Sequence, residues 1–223
     1  MNRKLTAALL VSAAVLTTVA FTALGSIFDY PDILKEPVDD ILTAFRASQG
    51  PIIAWFTVLA LSAALFAPIA IGVGRLAANR AMRVAVSVGV AAAVVQVIGL
   101  ARWPLLVPGY AASGNRDAFA TAHRILGTLI GETLGYALTA AWTLLVLIAL
   151  GRSFAGRWFP ALGGAAAVLI VAGVLSPLHV PGVDLANFIG YVLWSLWLVA
   201  FAIVLVRRPR AATAPPAVAS GRV

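Results

Sequence analysis

Six apolar runs, each of about twenty residues, limit what this chain can fold into, because a helix needs about that length to cross a bilayer core about 30 Å thick. The runs lie at 5–28, 51–74, 83–103, 126–150, 159–178 and 188–206. Lipid offers no partner to backbone N–H and C=O groups, so only helices and closed barrels span it. Continuous apolar runs without period-two alternation are helical. The expected fold is therefore all-α: a polytopic membrane helical bundle of six transmembrane helices, forming a single membrane domain over 1–210. Only 11% of residues are charged, against about 25% in average globular proteins. A soluble surface could not be covered with so little charge.

The first run follows a basic start at Arg3 and Lys4 and contains Ala20, Ala23 and Gly25, small residues of the kind found at cleavage sites. A cleaved signal peptide, leaving five spans, is the alternative. A signal h-region is about 7–15 residues long, and this run is longer, so a retained helix is expected. After the sixth run come Arg207, Arg208 and Arg210, then an alanine- and proline-rich stretch at 211–223. That stretch is expected to be a disordered cytoplasmic tail.

Charge sets the orientation. Eleven of the sixteen basic residues (Arg3, Lys4, Arg75, Arg80, Arg83, Arg152, Arg157, Arg207, Arg208, Arg210 and Arg222) fall on one side of the spans, where no acid falls. Asp29, Asp32, Glu36, Asp39, Asp40, Asp117 and Asp184 fall on the other side. Basic loops stay in the cytoplasm, so both termini are expected there. The net charge of +8 thus reflects membrane orientation, and nucleic acid is not an expected partner; the lipid bilayer is. Arginine in excess of lysine, with abundant alanine and valine, hints at a GC-rich bacterium, and the expected location is the bacterial cytoplasmic (inner) membrane.

Two connections on the acidic side carry structure. Val38, Ile41, Leu42 and Phe45 follow helical spacing, with Asp39 and Asp40 in the first turn. A short amphipathic outer helix is expected from about Pro37 to Ser48, between helices one and two. It would rest on the interface, cap the bundle or gate a cavity. In the second connection Pro104, Pro108 and Gly109 should interrupt helix after the third span. Ser113 or Asn115 can then cap a helix that continues into the fourth.

The fourth run is the most polar. Gly127, Gly131 and Gly135 recur every four residues, a spacing that lets another backbone approach closely. An internal contact is the expected use, with a homo-oligomer through the same glycine face as the alternative. His123 begins the glycine series, and Arg124, Thr128, Glu132 and Tyr136 form the neighbouring edge. Glu132 lies six residues inside the estimated outer boundary, about 9 Å deep at 1.5 Å per residue. An ionisable group in a span is costly and faces the bundle interior or a wet cavity. Gln96, Arg102 and Trp103 on the third run, and Asn187, Tyr191 and Ser195 on the sixth, reach similar depth.

Together these residues outline an outward-facing polar pocket for a small amphiphilic ligand or lipid. Its floor would be Gln96, Glu132 and Ser195, and its rim Arg102, Arg124, Asn187 and His179. A structural ion pair of Glu132 with Arg102 or Arg124, or proton handling at Glu132, are the competing readings. Trp103, Tyr110, Trp158, Tyr191 and Trp55 fit an aromatic belt at the interfaces. Trp194 and Trp197 lie deeper and fit packing.

His123 and His179 are the only histidines, and haem ligation between them is disfavoured because His179 sits between Pro177 and Pro181. No metal site or other cofactor is expected. There is no cysteine, and no P-loop, H-E-x-x-H or G-x-S-x-G spacing. No catalytic set is therefore assigned. A transporter component using Glu132 and a structural or regulatory membrane partner protein remain as alternatives to a binding protein.

Three stretches carry a family resemblance: FDYPDILKEPVDDILTAF (Phe28 to Phe45), VVQVIGLARWPLLVP (Val94 to Pro108) and HRILGTLIGETLGYALTAAWTLL (His123 to Leu145). With these the chain resembles a bacterial multi-pass membrane family known as domain of unknown function 4386. The resemblance places Gln96, Arg102, Trp103, Pro104, His123, Gly131, Glu132 and Gly135 in the family's motifs. It implies a small multi-pass membrane protein and assigns those residues no role.

Overall fold

The computed structural model describes residues 2–207, and every regular element among them is helical. The expected tail at 211–223, with Arg208, Arg210 and Arg222, lies outside the described residues. The first span is α1 (Arg3–Phe28), begun by the Asn2 side chain, which accepts from the Leu5 N–H at 2.8 Å. A short helix, α2 (Val38–Ala47), follows. The second span is α3 (Gln49–Ala64) with α4 (Phe66–Val73), jointed at Leu65. Pro68 explains the joint, since it has no N–H to return to the preceding turn.

The third span is α5 (Arg80–Leu105), continued by α6 (Val107–Ser113). The fourth runs from α7 (Arg116–Ala122) through a π-helical segment, His123–Leu134, into α8 (Gly135–Leu150). The fifth is α9 (Trp158–Ala172) with a tight turn over Gly173–Leu178, and the sixth is α10 (Val183–Arg207). Among the described residues, six helical stretches are long and apolar enough to cross a membrane.

The proline interruption expected after the third span is nearly absent. Pro104 lies inside α5, and the only joint is Leu106, whose N–H still donates to the Arg102 carbonyl at 2.9 Å. One proline removes one backbone bond and leaves the next intact. Pro108 falls in the first turn of α6, where a missing N–H costs nothing. Asn115 supplies the expected cap, accepting from the Ala118 N–H at 3.0 Å.

The spans form a closed ring in chain order. Each packs on its neighbours in sequence, and α10 closes against α1. The outward face is apolar, with Ile148 70% and Val168 64% exposed; a surface of that kind belongs in lipid rather than water. The inside of the ring is filled by two aromatic clusters. Towards the basic end, Trp142, Trp197, Phe159 and Phe201 pack with Phe66 and Phe154. Towards the acidic end, Trp103 stacks on Phe56 at 4.7 Å and meets Phe28, Phe45 and Phe119 edge-on or tilted. Trp103 is completely buried, so it is a core residue and not part of an interfacial belt.

The amphipathic α2 belongs to this second cluster through Ile41, Leu42 and Phe45, all buried. It caps the bundle rather than resting on its surface. Arg46 donates to the Ala111 carbonyl of α6 at 3.2 Å, and Arg116 of α7 pairs with Asp39 at 2.6 Å. Across the same end, Lys35 bridges Asp32 at 2.9 Å and Asp184 of α10 at 3.1 Å. Those two carboxylates hold the Lys35 ammonium above its usual range, Asp32 most. These pairs are exposed and contribute little each; the buried face of α2 does the fixing.

The third and fourth spans approach each other closely. A Cβ on Gly99 would lie 2.5 Å from the Gly131 Cα, and one on Gly131 2.9 Å from the Gly99 Cα. The obstacle is backbone, which cannot rotate aside. Gly131→Ala is therefore expected to cost about 1–3 kcal/mol and to lower the melting temperature in detergent. Gly164 faces open space, and Gly164→Ala should leave melting unchanged or raise it. Equal melting of the two variants would contradict the crossing.

Candidate functional site: a polar layer between two aromatic clusters

Polar side chains from the first four spans and the sixth occupy the interior between the two clusters. Thr17 and Ser62 join the first two spans at 2.7 Å, and Ser62 also donates to the Ala13 carbonyl at 3.0 Å. Gln96 of the third span donates to Thr139 of the fourth at 2.9 Å. Trp194 of the sixth donates to Thr143 of the fourth at 2.9 Å. These bonds satisfy their groups and tie the ring. The groups on the acidic side of them are different.

Arg102 is 5% exposed. Its Nη1 donates to the Gly99 carbonyl one turn back, and its Nη2 lies 3.4 Å from His123 Nδ1. Its Nε has no hydrogen-bond partner. The guanidinium lies flat over Gly127, where an added Cβ would sit 2.7 Å from Cζ. The three glycines of the fourth span thus face the third span within the chain. Gly127 makes room for Arg102, Gly131 meets Gly99, and Gly135 faces Gln96 Cγ at 3.1 Å from an added Cβ. Steps of three on α5 meet steps of four on its partner, the ridge pattern of closely aligned helices.

Glu132 makes no salt bridge with Arg102 or Arg124 among the described residues. It lies in the field of the Arg102 guanidinium and of Asp184. The backbone that carries it is π-helical. There the bonds run from i to i+5, and the Thr133 hydroxyl follows suit by donating to the Thr128 carbonyl at 2.8 Å. The glycines four apart still share one face, but the edge expected from Arg124, Thr128, Glu132 and Tyr136 is broken up. Arg124 turns out to be exposed, while Glu132 and Tyr136 turn inward. π-Helical turns are rare and occur often at functional sites.

Tyr30 and Tyr136 complete the group. Tyr30 follows α1 but its ring folds back into the bundle, 5.5 Å from Phe21 and 5.1 Å from Phe56. Burial, with the Glu132 carboxylate next, pushes its phenol above the ordinary range, and Arg102 pulls the other way. Tyr30 is thus a neutral hydroxyl beside Glu132 and Arg102. Tyr136 meets Tyr191 at 5.8 Å, and Tyr191 meets Trp194 at 6.2 Å. Tyr191 is interior and not an interfacial residue. Tyr30, Glu132, Tyr136 and Tyr191 are enclosed by protein yet each keeps accessible surface. Such side chains are candidates for the lining of an internal cleft.

The remaining expected members stand elsewhere. Asn187 is buried, donates to the Ile170 carbonyl at 2.8 Å and presses on Gly173. It locks the sixth span to the fifth and is not a rim residue. His123 stacks on Phe119 with rings 2° from parallel and 5.9 Å apart. His179 sits exposed in a left-handed turn, φ 55°. Ser195 is part-buried on α10. Among the described residues no three His, Asp or Glu side chains converge to hold a metal ion.

Sequence reasoning passed over Gly99 and Tyr30. A signal for Gly99 was present, since Gln96, Gly99 and Arg102 repeat every three residues opposite the glycine series. Nothing local marks Tyr30, whose place depends on how the chain turns after α1.

These features define the class: a six-span α-helical membrane protein with a polar layer between aromatic clusters. The chain belongs to the family described as Domain of unknown function (DUF4386), whose model matches residues 5–202. No curated protein and no solved structure matches it.

The chain has no cysteine, so single cysteines report access cleanly. A cysteine at Glu132 or Tyr191 should react with a small methanethiosulfonate reagent in folded protein. One at Ala140, 3% exposed, should not. Equal protection at all three positions would mean that the cleft is closed.

Proposed function

We propose that this protein is a non-enzymatic binding protein of a bacterial cytoplasmic membrane, whose cleft takes the polar head of a small amphiphile. The observation that carries the reading is a pair of charged groups left without full partners inside the bundle. Arg102 Nε is buried and unbonded, and Glu132 has no ion pair among the described residues. Unpaired polar groups in a low-dielectric interior are costly. A ligand bearing both a donor and an acceptor would satisfy them, with Tyr30, Tyr136 and Tyr191 as hydroxyl partners and aromatic walls. The apolar surroundings favour a ligand with an apolar body.

Orientation belongs to the same proposal. With basic loops inside, the acidic end, its α2 cap and the cleft face outward, and both ends of the chain are cytoplasmic. A cysteine at Asp32 should then react with a membrane-impermeant maleimide in intact cells, and one at Arg152 only after lysis. The opposite pattern would invert the topology.

Glu132→Gln keeps size and shape, so its fold should survive. We expect it to reduce the amphiphile recovered with the purified protein by about tenfold, the loss of one hydrogen bond to a charged group of about 1.5–3 kcal/mol. Arg102→Ala should act likewise, though it also empties the space over Gly127. If both variants carry the same small molecules in the same amounts as the parent, the binding reading fails.

A second reading, a transporter component, is favoured by the π-helical segment that holds Glu132. Proton-coupled flux in proteoliposomes, lost in Glu132→Gln, would replace binding alone with transport.

A further inference from the structure

A second site lies at the opposite end of the molecule, on the seam where the ring closes. There α1 and α10 leave a groove of about 650 Å³ on the lipid-facing surface. On α1 it is lined by Lys4, Ala7, Ala8, Val11 and Ser12, and on α10 by Ala202, Ile203, Val206 and Arg207. Each set is one stripe of its helix: i, i+3, i+4, i+7, i+8 on α1, and i, i+1, i+4, i+5 on α10. Each stripe is small or apolar along its length and ends in a cation at the basic end. The small residues form the floor, since Ala7 and Ala202 are 4% and 3% exposed, while Val11, Ile203 and Val206 stand up as walls.

The two cations are exposed and make no salt bridge among the described residues. No Asp or Glu side chain falls in the segments at this end, so no acidic side chain there repels an anion at the groove mouth. An apolar trough about as long as two to three helical turns, opening to lipid along its side and closed at one end by two positive charges, matches one kind of neighbour. Acyl chains fill the trough and a phosphate sits between the ammonium and the guanidinium.

We propose that this groove is a binding site for an anionic phospholipid in the leaflet at the basic end, and that the lipid braces the seam between the first and last spans. This seam joins the two spans most distant in sequence, and no short connection holds it. Basic pockets between transmembrane helices bind anionic head groups in this manner. The site is separate from the cleft, and neither depends on the other.

The test uses the purified full chain in detergent, titrated with phosphatidylglycerol, with phosphatidylcholine of the same acyl chains, and with inorganic phosphate. Bound lipid is counted by native mass spectrometry and melting is followed in parallel. Phosphatidylglycerol should bind and raise the melting temperature more than phosphatidylcholine, and inorganic phosphate should do neither. K4Q/R207Q should weaken phosphatidylglycerol binding on the order of tenfold. Ala8→Trp, which fills the trough and keeps both charges, should weaken it as well. R152Q/R157Q removes two cations from the same end outside the groove and should leave binding intact. The proposal is overturned if the two lipids bind equally, if phosphate alone gives the same protection, or if R152Q/R157Q weakens binding as much as K4Q/R207Q.

Discussion

The contact of Gly99 with Gly131 sets the distance between the third and fourth spans, and the polar interior depends on that distance. With two backbones this close, Arg102 is pressed onto Gly127 and Gln96 onto Gly135. The glycine row therefore does more than let helices meet. It is the floor on which a buried guanidinium lies, and any side chain there would push the charge out. A hydrophobic effect between helices is missing in lipid, so close backbone packing has to supply the attraction. Here the same residues hold the fold together and create space for a charged group.

Above and below that crossing the molecule spends its large aromatic side chains on filling the ring. Trp103 with Phe56 closes one end, and Trp142 with Trp197 the other. A ring of six helices around aromatic plugs has no reason to keep arginine and glutamate between them unless they interact with something. Paired residues such as Gln96 with Thr139 and Thr143 with Trp194 show what satisfied polar groups look like in this bundle. Arg102 Nε and Glu132 depart from that standard within the same few turns, and the backbone departs from α-geometry at the same place.

The class of fold was fully legible in the runs of apolar residues, because bilayer thickness leaves few alternatives to helices of that length. The amphipathic α2 was legible too, since Val38, Ile41, Leu42 and Phe45 mark a face at helical spacing, and three of them are buried. The inner site was legible only in part. Arg102 and Glu132 stood out as charges within apolar runs. Their surroundings did not, because alignments such as Arg124 with Glu132 assume 3.6 residues per turn, and the π-helical segment breaks that rule. Depth alone places Asn187 at a pocket rim and Trp103 in a belt. Depth along a helix says nothing about which way a side chain points, and both face their neighbours. Pro104 was read as a helix end, yet a single missing N–H was tolerated within α5.

The ring order has a consequence for how the molecule assembles. Every span finds a partner next door in the chain, so each can dock on its predecessor as it arrives in the bilayer, across a connection with little entropy to lose. Only the meeting of α10 with α1 spans the whole polypeptide. Until the final helix is made, the first exposes one flank, and the incomplete bundle is an open arc. Closure is therefore the longest-range pairing of spans in a ring built from neighbour contacts, and it is the step at which the bundle becomes a single cooperative unit.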